Sequence, residues 1–299
     1  MSKTKIEELI NKGTKYIKDK EYDKAEATFN EIIKIDSTLS LPFINLGMVR
    51  LLNQQVDSAI DLFNKALELD PRSLESYQNL GSCYFYKEDI EKAESMYIKA
   101  LQIDPSNFNT YHNLAFLYIN SQQWNKAKNP LEKIIQIDEN NIQASFYLAM
   151  IYLNSKEYYP AIANFLYTLS INPNYSSARI GLSDCYYKIG RYKSALSELN
   201  KIIEAIPDFV TPYVKSALIH IEIGEKDNAI PLLEKAVELN ENNLDISEIL
   251  AVIYEEKGER EKAEQLYQHI LIKDSENKSA YEALERIKEV SAKLSEQNS

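Results

Sequence analysis

Residues 74–107 read LESYQNLGSCYFYKEDIEKAESMYIKALQIDPSN. A helix turns about 100° per residue. Counted from Leu74 as position 1, positions 4, 7, 8 and 11 therefore share one face, and they are Tyr77, Leu80, Gly81 and Tyr84. A second apolar stripe follows at positions 20, 24 and 27, with Ala93, Tyr97 and Ala100. Pro105 at position 32 ends it, since proline cannot continue a helix. The stretch predicts helix, short turn, helix, turn.

The same pattern extends in both directions. Ala25, Ala59, Ala93, Ala127, Ala161, Ala195, Ala229 and Ala263 are each 34 residues apart, with no insertion or deletion, and the repeats begin at residues 6, 40, 74, 108, 142, 176, 210 and 244. A fixed period of this length predicts a solenoid, in which each unit buries its apolar face against its neighbours. Position 8 holds Gly13, Gly47, Gly81, Ala115, Ala149, Ser183, Ala217 and Ala251, and never a large residue. Small residues at positions 8 and 20 let the two helices approach, while large ones at 4, 11 and 24 fill the space beside them. Pro71, Pro173 and Pro207 share position 32 with Pro105, and Gly190, Gly224 and Gly258 stand at position 15, in the turn, where they suit a left-handed cap. Pro130 and Pro231 fall inside second helices and predict a lost hydrogen bond and a bend in each.

Composition narrows the function class. The net charge of −11 and the lack of a lysine and arginine cluster argue against nucleic acid as a partner, since its phosphates need a basic face. Much of that charge is local, for residues 222–264 hold thirteen acids against five bases. No run is long enough to span a membrane, and residues 1–10 carry no apolar leader core, so a cytoplasmic protein is expected. Cys83 and Cys185 occupy equivalent places three repeats apart, beyond disulfide reach, and read as small buried hydrophobes. His112, His220 and His269 lack metal-ligand spacing, and there is no glycine-rich phosphate loop. The expectation is no cofactor, no metal and no catalytic residue.

The positions carry a resemblance. Leu46, Leu80, Leu114, Leu148, Leu182 and Leu250 at position 7, tyrosine at position 11 in six repeats, the small residue at 8, alanine at 20 and proline at 32 resemble the tetratricopeptide repeat over residues 6–277. Arg50 and His220 depart from the tyrosine, and Ser37, Glu139, Glu241 and Ser275 from the proline. The resemblance implies an all-α, right-handed superhelical solenoid of helix-turn-helix repeats. A five-residue lead-in, eight repeats, a capping helix over 278–294 and a polar, frayed tail over 295–299 complete the expected layout.

It also implies a scaffold or adaptor that binds an extended or helical peptide along the first helices, at positions 2, 5, 6, 9, 12 and 13. Those positions are unusually apolar in repeats two to five. Ile44, Met48, Phe85, Phe116, Phe146 and Met150, with His112 and Tyr187, are the expected groove residues. The alternative is that such side chains only pack between neighbouring first helices. Asn11, Asn45, Asn79 and Asn113 recur at position 6; amides both donate and accept, so they suit a ligand backbone, though asparagine is also common there in the family. A clamp for a C-terminal carboxylate, known in the family, needs lysine at position 5, where this chain has Ile10, Ile44, Gln78, His112, Phe146, Ile180, Val214 and Glu248. Asp245, Glu248, Glu255 and Glu256 make an acidic end suited to a basic flank of the ligand, or else a solvated face. Self-association, or docking to an enzyme as its regulatory subunit, are the other readings of the array.

Overall fold

A computed structural model describes residues 2–297 in backbone and 4–290 in side chains. The described residues form seventeen α-helices and no strand. In chain order they are α1 (Ser2–Lys18), α2 (Tyr22–Ile35), α3 (Ser40–Leu52), α4 (Val56–Leu69), α5 (Leu74–Tyr86), α6 (Ile90–Ile103), α7 (Phe108–Asn120), α8 (Trp124–Ile137) and α9 (Ile142–Asn154). There follow α10 (Tyr158–Ile171), α11 (Ser176–Lys188), α12 (Tyr192–Ala205), α13 (Val210–Glu222), α14 (Lys226–Leu239), α15 (Leu244–Glu256), α16 (Arg260–Lys273) and α17 (Lys278–Gln297). Odd-numbered helices up to α15 are the first helices of the repeats, and even-numbered ones the second.

The chain divides into two compact units, Met1–Ile151 and Tyr152–Ser299, and the division falls in the sequence of α9. In the first, α1 packs on α2, α3 on α4, α5 on α6 and α7 on α8, and the first helices α1, α3, α5 and α7 lie side by side. In the second, α10 packs on α11, α11 on α12, α13 on α14 and α15 on α16. α17 lies on α16, and its Ala280, Ala283, Leu284 and Ile287 share a core with Tyr267 and Ile270. α17 runs to Gln297, past the expected helix end at 294, and residues 298 and 299 of the expected tail lie outside the described residues.

The core follows the repeat positions. All eight alanines at position 20 are wholly buried. A Cβ added to Gly13, Gly47 or Gly81 would come within 2.6, 2.7 and 2.4 Å of the rings of Phe29, Phe63 and Tyr97, so glycine at position 8 makes room for the aromatic at position 24. Where position 24 is Leu131, Leu199 or Leu233, position 8 widens to Ala115, Ser183 or Ala217. Two rings break this rule: Tyr267 stands with Ala251 at position 8, and Phe165 with Ala149. A Cβ on Gly181, in the next repeat, would meet the Phe165 ring at 2.3 Å.

The turn between the two helices is identical throughout. In every repeat the backbone N–H at position 16 donates to the carbonyl at position 11, as in Glu21 to Tyr16 at 2.8 Å and Glu225 to His220 at 2.7 Å. This cap requires position 15 to be left-handed. Gly190, Gly224 and Gly258 have φ of 74°, 80° and 77°, and Lys20, Gln54, Glu88, Gln122 and Lys156 adopt φ of 58° to 62° at the same place. Five repeats therefore accept a strained side chain where the sequence displayed only three glycines. α8 and α14 run unbroken through Pro130 and Pro231.

The connection between repeats has its own lock. Tyr111 donates its hydroxyl to the Pro105 carbonyl at 2.9 Å, Tyr213 to that of Pro207 at 3.0 Å, and Tyr77 to that of Pro71 at 3.4 Å. Arg179 does the same toward Pro173 through two nitrogens, at 3.1 and 2.7 Å, while pairing with the nearly buried Glu198 at 2.6 Å. Each proline at position 32 thus meets a donor from position 4 of the following repeat. Ser145 and Ser247, which follow non-proline connections, are buried with unpaired hydroxyls.

Candidate functional site

The first helices of the unit Met1–Ile151 present an aromatic face. Phe116 on α7 is 51% exposed, and the Phe85 ring on α5 meets it edge-on at 5.5 Å. A cleft of about 490 Å³ opens beside Phe116, lined among others by Phe108, His112, Ile119, Asn141 and Tyr147. His112 is exposed and stacks on Phe108 at 6.4 Å. Phe146, Met150 and Met48 are half-buried, with Phe146 and Tyr147 ring to ring at 5.7 Å. Tyr86 (68% exposed) and Leu52 (49%) extend the apolar surface. Phe116 and Tyr86, at positions 9 and 13, stay uncovered because α5 and α7 turn their small position-8 residues, Gly81 and Ala115, toward α6 and α8.

Ile44 is a correction. It is only 4% exposed and lies in the core with Phe63, Leu80 and Cys83. Position 5 on α3 turns toward α5, so this side chain packs between first helices instead of lining a groove.

The asparagines at position 6 are not equivalent. Asn45 donates its amide to the Leu41 carbonyl of its own helix at 3.0 Å. The Asn79 amide nitrogen is enclosed without a partner. Asn11 is exposed and Asn113 half-buried. Sequence spacing put four amides on one stripe, but local hydrogen bonding and packing differ at each.

The unit Tyr152–Ser299 has a different inner face. A cleft of about 500 Å³ is lined by Leu153, Tyr158, Asp184, Tyr187, Lys188, Lys215 and Leu218, among others. Lys215 pairs with Asp184 at 2.6 Å, and the Lys188 ammonium lies 5.3 Å from the Tyr187 ring. Of these, Tyr187 was legible from its position. Lys215 was not, because it stands at position 6, where earlier repeats carry asparagine.

The acidic end surrounds a cleft of about 430 Å³ whose floor is Ile221, Ile249, Val252 and Ile253. Its acids are largely engaged. Glu256 pairs with Lys226, and Glu248 accepts from the Ser279 hydroxyl. Glu255 pairs with Arg286 on α17 at 3.4 Å and accepts from the buried Tyr267 hydroxyl at 3.2 Å. Burial and Glu255 together push the Tyr267 phenol up. Glu255 therefore ties α15 to α16 and α17, which leaves Asp245 as the exposed acid that lines the cleft without a described partner.

The departures from the repeat pattern are compensated locally. Arg50, in place of tyrosine, pairs with Glu26 of the preceding repeat. Tyr118 donates to Glu94, the equivalent glutamate, at 2.9 Å, and burial beside that carboxylate pushes its phenol up. His220 contacts Glu225 of its own repeat at 2.9 Å. Cys83 and Cys185 are free and buried, and burial pushes both thiols up to about 12. Among the described residues no cluster of histidine, cysteine and acids could hold a metal, and no helix is long and apolar enough to cross a membrane.

Models described as tetratricopeptide repeat match residues 9–39, 35–106, 96–129 and 224–287. A model described as anaphase-promoting complex, cyclosome, subunit 3 matches residues 120–202. Among solved structures, YrrB, described as a TPR protein with an unusual peptide-binding site, is 24% identical, with a TM-score of 0.55 over 62% of this chain and 95% of its own. MamA is 26% identical, with a TM-score of 0.54 over 57% of this chain and 94% of its own. A tetratricopeptide repeat protein from Parabacteroides merdae is 22% identical, with a TM-score of 0.51 over 83% of this chain and 98% of its own. No curated protein matches the chain.

Proposed function

Because the chain belongs to the tetratricopeptide repeat family, whose members generally serve as protein–protein interaction scaffolds, we propose that it is a non-enzymatic adaptor that holds an apolar segment of another protein on its first-helix face. The observation that carries this reading is Phe116, half exposed above a cleft of about 490 Å³ and braced by Phe85. Exposed apolar surface rimmed by polar groups costs solubility unless a partner covers it. An aromatic pair beside a cleft is the usual form of an interface anchor. His112 and Asn113 are the polar groups placed to orient the ligand, and the expected setting is the cytoplasm. Phe146 and Met150 are half-buried on α9, Phe146 beside the cleft-lining Tyr147. In the unit Tyr152–Ser299, Asp245 is the exposed acid available to a basic group of a ligand bound there.

A random peptide library selected on the full chain tests this. The expected binders are rich in apolar residues and lose at least about tenfold in affinity, or about 1.4 kcal/mol, with Phe116→Asp. Circular dichroism checks that the variant stays helical. Binders unaffected by Phe116→Asp would refute the groove.

A further inference from the structure

The clefts beside Phe116, Ile249 and Tyr187 differ in charge. No lysine, arginine, aspartate or glutamate lines the first. The second sets Lys226 against Asp245, Glu248 and Glu256. The third, the cleft of about 500 Å³ in the unit Tyr152–Ser299, sets Lys156, Lys188 and Lys215 against Asp184 alone. Its lining is therefore cationic, in a chain whose net charge is −11. The three lysines are not equivalent. Lys215, in the middle of α13, is half-buried and held by Asp184 of α11 at 2.6 Å. Lys188, the last residue of α11, and Lys156, in the turn after α9, are exposed and have no carboxylate partner among the described residues. Elsewhere in the same unit Lys201, Lys226, Lys257 and Lys262 pair with Glu198, Glu256, Asp227 and Glu259. The rest of the lining is mostly apolar, with Leu153, Tyr158, Ile219 and the 45% exposed Leu218.

We propose that this cleft binds an acidic segment of a partner protein, with an apolar side chain against Leu218 and Tyr187 and neighbouring carboxylates on Lys188 and Lys156. Charge selects the occupant. A purely apolar segment would cover two lysines without pairing them, and a covered charge without a partner is costly. A basic segment would meet three lysines against one acid. An ammonium is a point charge on a flexible stem, so it accepts a carboxylate from many directions. Lys156 belongs to repeat five and Lys188 to repeat six. Neighbouring helices pack about 8–10 Å apart, so the two lysines are served by two carboxylates on one segment, not by a single chain terminus. Nucleic acid would need a run of phosphate contacts along a basic face, and this chain is acidic around its three lysines. Asp184 is the one carboxylate in the cleft, and it competes with the ligand for Lys215. The residues are distinct from those of the Phe116 face, so this site stands or falls separately from that one.

A library of acetylated, C-terminally amidated random peptides, selected on the full chain carrying Phe116→Asp, tests the proposal. Because Phe116 is already replaced, failure here and failure of the Phe116 face are read separately. The binders are expected to carry paired acids beside an apolar residue. Calorimetry is expected to show them at least about tenfold weaker on the chain with Lys156→Glu and Lys188→Glu together, and weaker again as salt rises. Both lysines are exposed, so helix content is expected to stay unchanged. Asp184→Asn, which removes the competing carboxylate, is expected to tighten the binders about threefold, an effect opposite in sign to structural damage. No acidic binder, binders that keep their affinity in the double lysine variant, or weakening by Asp184→Asn would each overturn the proposal. Binding only when the library has a free C-terminus would overturn it in favour of a terminal carboxylate. Tighter, Lys188-dependent binding of single-stranded oligothymidylate would overturn it in favour of nucleic acid.

Discussion

Residues 74–107 and 142–175 share one helix-turn-helix frame and satisfy it differently. In the first, Gly81 makes room for Tyr97 of its own repeat. In the second, Ala149 stands where that glycine would be, and Phe165 lies over Gly181 of the following repeat. The first carries Tyr77 on the Pro71 carbonyl; the second carries Ser145, buried and unpaired, after Glu139. α6 is charged on its outer face and α10 is not. The comparison teaches that the frame is held by alanine at position 20 and the left-handed turn. At position 24, Phe29, Phe63, Tyr97 and Phe165 each lie over a glycine, Phe165 over that of the next repeat, while Tyr267 is buried without one.

The sharpest way to break this comparison is to remove the two rings. Tyr97→Ala and Phe165→Ala should each cost about 3–5 kcal/mol. Hydrogen exchange should show the first loosening α5 and α6, and the second loosening α10 and α11. If Phe165→Ala instead left α11 protected, the ring would not bridge to the next repeat. The receiving glycines come next. Gly81→Ala and Gly181→Ala should each cost about 1–3 kcal/mol by overpacking. In denaturant-melting cycles the cost should shrink with Tyr97→Leu for the first and with Phe165→Leu for the second, and with neither when the pairs are exchanged.

Smaller effects test what the two repeats share. Glu88→Gly and Lys156→Gly should each raise stability by about 1 kcal/mol, since both side chains sit at positive φ, while Gly224→Ala should lower it by a similar amount. Thermal unfolding reads all three, and a loss on either glycine substitution would contradict the strained turn. The smallest effect expected is at Ser145, where Ser145→Ala should be neutral or gain up to about 1 kcal/mol, because the hydroxyl it removes has no partner.

Much of the frame was legible from the chain. Positions 8 and 20 were readable because both hold only small residues, which let the two helices of a repeat approach. Ile44 was not. Periodicity places a residue at an angle around its own helix, and α5 happens to cover the angle of Ile44 while Phe116 stays open. Glu255 failed for a related reason: its partners Tyr267 and Arg286 lie 12 and 31 residues further on, where no local pattern announces them. The five side chains in left-handed turns were hidden because position 15 was visible only where it was glycine.

The sequence by itself determined a helix-turn-helix array, since a period of 34 residues with alternating small and large positions leaves no other way to bury its apolar stripes. It also determined the phase of the repeats, though not the end of α17 or the five left-handed turns without glycine. The tertiary structure decided which apolar residues face water, which acids are already paired, and that the ring of Phe165 belongs to the neighbouring repeat. The physical reason is that helical period acts within one helix. Exposure and pairing depend on the surface another helix brings against it.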